Sequence, residues 1–151
     1  MGALTASAPG WAVSVGLLAV RLVIGAAFIL HGWPKIQHPL NWMGMDNAVP
    51  SAIQAVAAVI EFVGGILLLA GFVTRITALA LAAQMIAALA LVHIPHGDPF
   101  VAVGHPSAEL ACAYLAVNLL IATTGPGMFS LDVLLFGRCC VRSPSATEAG
   151  H

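Results

Sequence analysis

Four long apolar runs alternate with short stretches of Pro, Gly, Asn and Asp. At 1.5 Å per residue, about 20 apolar residues cross the roughly 30 Å hydrocarbon core of a bilayer. The pattern predicts spans at about 11–33, 49–72, 76–94 and 106–124. Pro34 is expected to stop the first span, and Pro50 to open the second. The Gly71–Arg75 connection is so short that the second and third spans must be antiparallel neighbours. Pro106, Ser107 and Glu109 read as the start of the fourth, and Gly125-Pro126-Gly127 as its end. Residues 128–137 are too few to cross and are expected to form a short helix at the interface. Residues 1–10 read as a flexible tail and 138–151 as a disordered one. The predicted fold is all-α, a four-helix antiparallel transmembrane bundle spanning residues 11–137.

Composition supports the same picture. Of 151 residues 60% are hydrophobic and only 7% charged, with a mean hydropathy of +1.00. Soluble domains carry about 25% charged residues, so this chain lacks the charge to cover a water-facing surface. The competing reading is a very apolar soluble four-helix domain. A net charge of −1 leaves no electrostatic footprint for nucleic acid. The N-terminus has no basic segment ahead of its apolar run, so that run reads as a retained span rather than a signal peptide. Arg75, Arg138 and Arg142 fall on one side of the predicted topology and only Lys35 on the other. The expected orientation therefore places both termini in the cytoplasm.

Charge inside the spans is the next signal. Arg21, Ile24, Phe28, His31 and Lys35 share one face of the first span. Gln54, Glu61 and Leu68 share one face of the second, where Gly64-Gly65 and Gly71 permit close backbone approach. Arg21, Glu61, Gln84 and Asn118 supply one polar group per span at similar predicted depths. A charge at the bilayer centre costs between about 2.5 and 17 kcal/mol, so Arg21 and Glu61 are expected to pair. Such a pair serves equally as a site for a head group or proton, or as an ion pair that docks the spans.

A second layer gathers at the opposite end from the termini: His31, His38, His93, His96 and His105, with Lys35, Asp98 and Glu109. His31, His93 and Glu109 could converge there. Histidine beside carboxylate moves protons near neutral pH or binds a transition metal. The spacings match no metal motif, so no metal is expected; proton handling and plain interfacial hydrogen bonding remain open. Cys112 reads as packing, Cys139-Cys140 as a bare pair, and Met43 and Met45 as packing rather than copper ligands.

Arg21-x3-Gly25-x2-Phe28-x2-His31-Gly32-x2-Lys35 resembles the first-span signature of the DoxX family of small bacterial membrane proteins. Glu61-x2-Gly64-Gly65-x2-Leu68-x2-Gly71 resembles its second. Thr74-Arg75, His93-x-Pro95-x-Gly97, Glu109-Leu110 and Gly125-Pro126-Gly127-x2-Ser130-Leu131-Asp132 follow in the same order, so the resemblance covers residues 17–137. It implies a four-helix inner-membrane bundle related to the membrane subunit of a thiosulfate:quinone oxidoreductase. By the resemblance Arg21, His31, Lys35, Glu61, His93 and Glu109 are the ligand or proton-site candidates, with Gln84 and Asn118 as secondary ones. The leading functional expectation is a redox-linked protein that binds a quinone head group, at most as a subunit of a quinone-linked oxidoreductase. The alternatives are a non-catalytic assembly subunit for soluble redox proteins and a small-solute or metal transporter. Lipid is the expected partner, and glycines on the first two spans permit a homo-oligomer.

Overall fold

The computed structural model describes residues 10–44 and 49–137. It is all-helical, with no strand among the described residues. Helix α1 spans Trp11–Gln37, α2 Ser51–Ala70 and α3 Thr74–His96, and these three are long and apolar enough to cross a membrane. Helix α4, Glu109–Thr124, is apolar but shorter, and α5 is the six-residue Leu131–Phe136. The predicted tails, and with them Cys139, Cys140, Arg138, Arg142 and His151, fall outside the described residues, as does Met45.

Two helix boundaries differ from expectation. Pro34 does not stop α1, which continues to Gln37. A proline this close to the end removes a single bond of the ladder. The final turn is closed by the His38 amide donating to the Lys35 carbonyl at 3.2 Å. The start of α4 lies at Glu109, not Pro106. The Ala108 amide is spent on the Pro99 carbonyl at 3.1 Å, across the loop, so the chain turns helical only afterwards.

Each helix buries one stripe and exposes the rest. On α1 the stripe is Ser14, Leu17, Arg21, Gly25, Phe28 and Gly32, at the three-four spacing of one helix face. His31 and Trp33 lie outside it and are exposed. On α2 it is Gln54, Ala58, Glu61, Gly64, Gly65 and Leu68. The core joins Phe28 and Leu68 to Ala78, Leu81 and Met85 of α3 and to Ala111 and Ile121 of α4. Exposed Leu, Val and Ile cover the outer faces, with Leu30 74% exposed. In water this surface would associate; in lipid it is the solvated face.

Helices α1 and α2 pack closely and run antiparallel. A Cβ on Gly25 would lie 2.9 Å from the Gly65 carbonyl and from Leu69, and one on Gly32 would lie 2.7 Å from the Phe62 amide. A Cβ on Gly65 would lie 2.8 Å from the Ile29 amide. Gly25, Gly32 and Gly65 are therefore taken up by packing within the chain. Gly64 instead faces the Leu81 side chain at 3.1 Å. Because side-chain ends yield and backbones do not, Gly65→Ala should lower unfolding free energy by about 1–3 kcal/mol and Gly64→Ala by clearly less. Titration with denaturing detergent in mixed micelles, followed by circular dichroism, reads the difference.

Candidate functional site

The polar groups of the bundle form two separate centres, and the expected Arg21–Glu61 pair is not among their contacts. The α1–α2 register explains this. Glu61 stands level with Gly32, beside its neighbour Phe62. Arg21 is eleven residues before Gly32, a displacement of about 16 Å along the axis. Side chains also lean toward the N-terminus of their own helix. In antiparallel neighbours Arg21 and Glu61 therefore lean apart, while Lys35 and Glu61 lean together.

The centre at the Gly71 end is built around Arg21, which is 1% exposed. Its guanidinium donates to the Pro126 carbonyl at 2.5 Å and the Phe129 carbonyl at 2.7 Å. Ser14 Oγ accepts from the Met128 amide. The Asp132 carboxylate accepts from the Val73 and Thr74 amides at 2.6 and 2.8 Å, capping α3 from a distant part of the chain. The Asp132 amide donates to the Gly71 carbonyl at 2.9 Å. Gly71 has φ 69°, and a Cβ there would lie 2.8 Å from the Arg21 guanidinium carbon and 2.7 Å from Ser130. Arginine, glycine and aspartate together fasten the 125–132 segment across the ends of α1, α2 and α3.

The centre at the other end is built around Glu61. Lys35 Nζ lies 2.5 Å from its Oε2, and Gln84 Nε2 donates to the same oxygen at 3.0 Å. Three helices thus meet at one carboxylate, whose side chain is 5% exposed against 25% for Lys35. Tyr114 of α4 lies within electrostatic reach of Glu61 and packs on Phe28, with ring centroids 5.0 Å apart. The Lys35 ammonium also sits 4.6 Å from the Trp42 ring centroid, a cation–π contact. Trp42 is held in turn by its indole N–H, which donates to the Gln54 carbonyl at 3.0 Å. Met43 takes part through its amide, which donates to Gln54 Oε1.

A cavity of about 100 Å³ adjoins this centre, with Lys35, Trp42 and Gln84 on its wall. Ile53 of α2 and Leu91 of α3, both about half exposed, also line it, so its wall reaches the outer surface of the bundle there. The wall includes Leu91 and Val92 of a π-helical stretch, Leu89–His93, inside α3. Such turns widen a helix locally and occur often at functional sites. A larger shallow groove under α5, about 640 Å³, is lined by Ala70, Met128 and Leu134 and carries no titratable side chain.

The histidines do not converge. His31, His38, His96 and His105 are exposed, as is Glu109. His31 meets Tyr114 edge to face, with centroids 6.3 Å apart. His93 Nδ1 lies 2.8 Å from the Asp98 carboxylate. Among the described residues no three His, Cys, Asp or Glu side chains gather at one point. Asn118 is fully buried and donates to the Tyr114 carbonyl of its own helix at 2.8 Å. Sequence reasoning missed Lys35 as the partner of Glu61, and Tyr114 and Trp42 as neighbours. The lean of side chains toward helix N-termini was the signal that would have found the first; nothing in the pattern marks the other two.

Residues 16–94 match the profile of the DoxX family. The chain belongs to the DoxX family. It is 35% identical over 122 residues to an uncharacterised protein of Haemophilus influenzae, with 80% of this chain and 90% of that one covered. It is 30% identical over 130 residues to the Bacillus subtilis protein named "Putative oxidoreductase CatD", covering 81% and 88%. It is 32% identical over 130 residues to the Escherichia coli inner membrane protein YqjF, covering 80% and 92%. No solved structure matches the chain. In this DoxX protein the first-span signature divides: Arg21 serves the fastening at one end and Lys35 the carboxylate centre at the other.

The division predicts distinct mutant behaviour. Lys35→Met leaves the Glu61 carboxylate without its counter-charge in a mostly buried site and should destabilise by about 3 kcal/mol. The double variant Lys35→Met/Glu61→Met should recover most of that loss, because an apolar pair of similar volume has no charge to strand. Arg21→Met has no such rescue by Glu61→Met, since the two do not touch. Unfolding of six proteins in mixed micelles (wild type, the Lys35→Met, Arg21→Met and Glu61→Met single variants and the two double variants) gives both coupling energies.

Proposed function

We propose that this DoxX protein is a four-span inner-membrane bundle, redox-linked, whose cavity binds the head group of a quinone-type molecule. The observation that carries the reading is the Lys35–Glu61–Gln84 cluster beside a mostly apolar cavity whose wall reaches the outer surface at Ile53 and Leu91. A lipid-soluble ligand reaches such a site from the bilayer, between Ile53 and Leu91. The ammonium has donors to spare for a ligand carbonyl oxygen. Gln84 Nε2 is committed to the carboxylate, which leaves its buried Oε1 with no partner among the described residues. A ligand hydroxyl is the group that acceptor lacks. Glu61 is the proton-holding residue of the set, and Lys35 balances its charge. Arg21 has no part in this site. Its place at the Gly71 end fits a membrane orientation with both termini and Arg75 in the cytoplasm, following the bias of positive residues.

The name of the Bacillus relative, an oxidoreductase, agrees with a redox link. A pure assembly subunit needs no cavity, whereas this bundle has one at its only described cluster of three interacting polar side chains from three helices.

A short-chain benzoquinone and its hydroquinone, titrated separately onto purified protein, should raise the thermal midpoint of the wild type by several degrees. The shift should vanish in Glu61→Gln and Gln84→Leu. A wild-type midpoint that does not move with either compound removes the proposal.

A further inference from the structure

Lys35 and Trp42 line two spaces at once. One is the inner cavity between α2 and α3. The other is an outer hollow of about 490 Å³, whose remaining wall is Pro34, His38 and Asn41. His38 and Asn41 are exposed, so this hollow opens toward water. The two shared side chains are in contact, 4.6 Å from ammonium nitrogen to ring centroid. The inner cavity and the outer hollow therefore share this cation–π pair as a common wall.

We propose that Lys35 and Trp42 form a movable partition that admits water and small polar solutes to the inner cavity, and that the charge on Glu61 holds it shut. Three contacts fix the closed position: the carboxylate holds the ammonium, the ammonium holds the indole face, and the Gln54 carbonyl holds the indole N–H. The first of these is the one that chemistry can switch. The groups that touch Glu61 are Lys35 from α1 and Gln84 from α3; Tyr114 of α4 lies within electrostatic reach, with His31 beside Tyr114 and His38 in the outer hollow. Lys35 is the cation that touches it. A proton on Glu61 removes the countercharge, and the ammonium then gains more from hydration in the hollow than from a neutral carboxyl. Lys35 has the reach for this move, since its stem is flexible and its side chain is already a quarter exposed. Once it leaves, the indole loses its cation and the two spaces join. The inference assumes the cavity is a ligand site only for its purpose; the route itself is measured without any quinone.

Ala88 lines the inner cavity on α3, and Val103 is an exposed loop residue. In a background with Cys112, Cys139 and Cys140 replaced by Ser, Ala88→Cys and Val103→Cys are each labelled with a sulfonate-bearing, membrane-impermeant thiosulfonate in the full-length protein. The expected result is at least tenfold faster labelling at position 88 when Glu61→Gln or Trp42→Ala is added, with position 103 unchanged. Equal rates at position 88 in all three backgrounds would overturn the partition. Acceleration by Trp42→Ala but not by Glu61→Gln would overturn the role of the Glu61 charge. A failed quinone titration would leave either labelling result intact, and the reverse holds.

Discussion

A carboxylate inside hydrocarbon persists only where a counter-charge and hydrogen-bond donors meet it, and Glu61 is that carboxylate. Lys35 and Gln84 reach it from two other helices, and Tyr114 of a fourth stands nearby. The arrangement of the bundle at that end follows from this requirement. The glycines of α1 and α2 bring the two backbones close enough for the side chains to meet. The π-helical stretch of α3 then leaves space beside the meeting point instead of filling it.

The other buried ion is handled differently. Among the described residues Arg21 has no carboxylate hydrogen-bond partner; it takes backbone carbonyls of the segment after α4. Carbonyl oxygens in a turn that follows a Gly-Pro-Gly run have no helical amide to accept from, so a guanidinium satisfies groups that would otherwise be stranded in a low-dielectric setting. Asp132 does the mirror task for the amides that open α3. One end of the molecule is thus a fastening, and the other gathers three polar side chains beside a cavity. The chain achieves this with two cations on the same face of one helix, Arg21 and Lys35.

Much of this was legible in the residues. The three long spans, the short α2–α3 turn and the inward face of Gln54, Glu61 and Leu68 follow from periodicity and spacing, and the family from the resemblance of the motifs. The polar layer was legible only in kind. Counting residues from span ends placed Arg21 and Glu61 at one depth, but the true register depends on which glycines interlock, and that is a packing property of two helices together. The lean of side chains then decides partners, and it works in opposite directions on antiparallel helices. The histidines were misjudged for another reason. Loop residues near a common end share a depth without sharing a point, and only backbone geometry determines whether they converge. Pro34 and Pro106 likewise mark where a helix can end or begin, while loop hydrogen bonds such as Ala108 to Pro99 decide where it does.

The capping of α3 by Asp132 ties together parts of the chain made at different times. Val73 and Thr74 leave the ribosome nearly sixty residues before the carboxylate that satisfies their amides. Until then the two amides lack that acceptor; in the folded chain they sit at a Val73 with φ 48°. In the finished bundle the segment after α4 is the clasp of the α2–α3 hairpin. Translation order and the fold's last closing contact therefore coincide: the bundle is complete only when nearly all of the described chain has been synthesised.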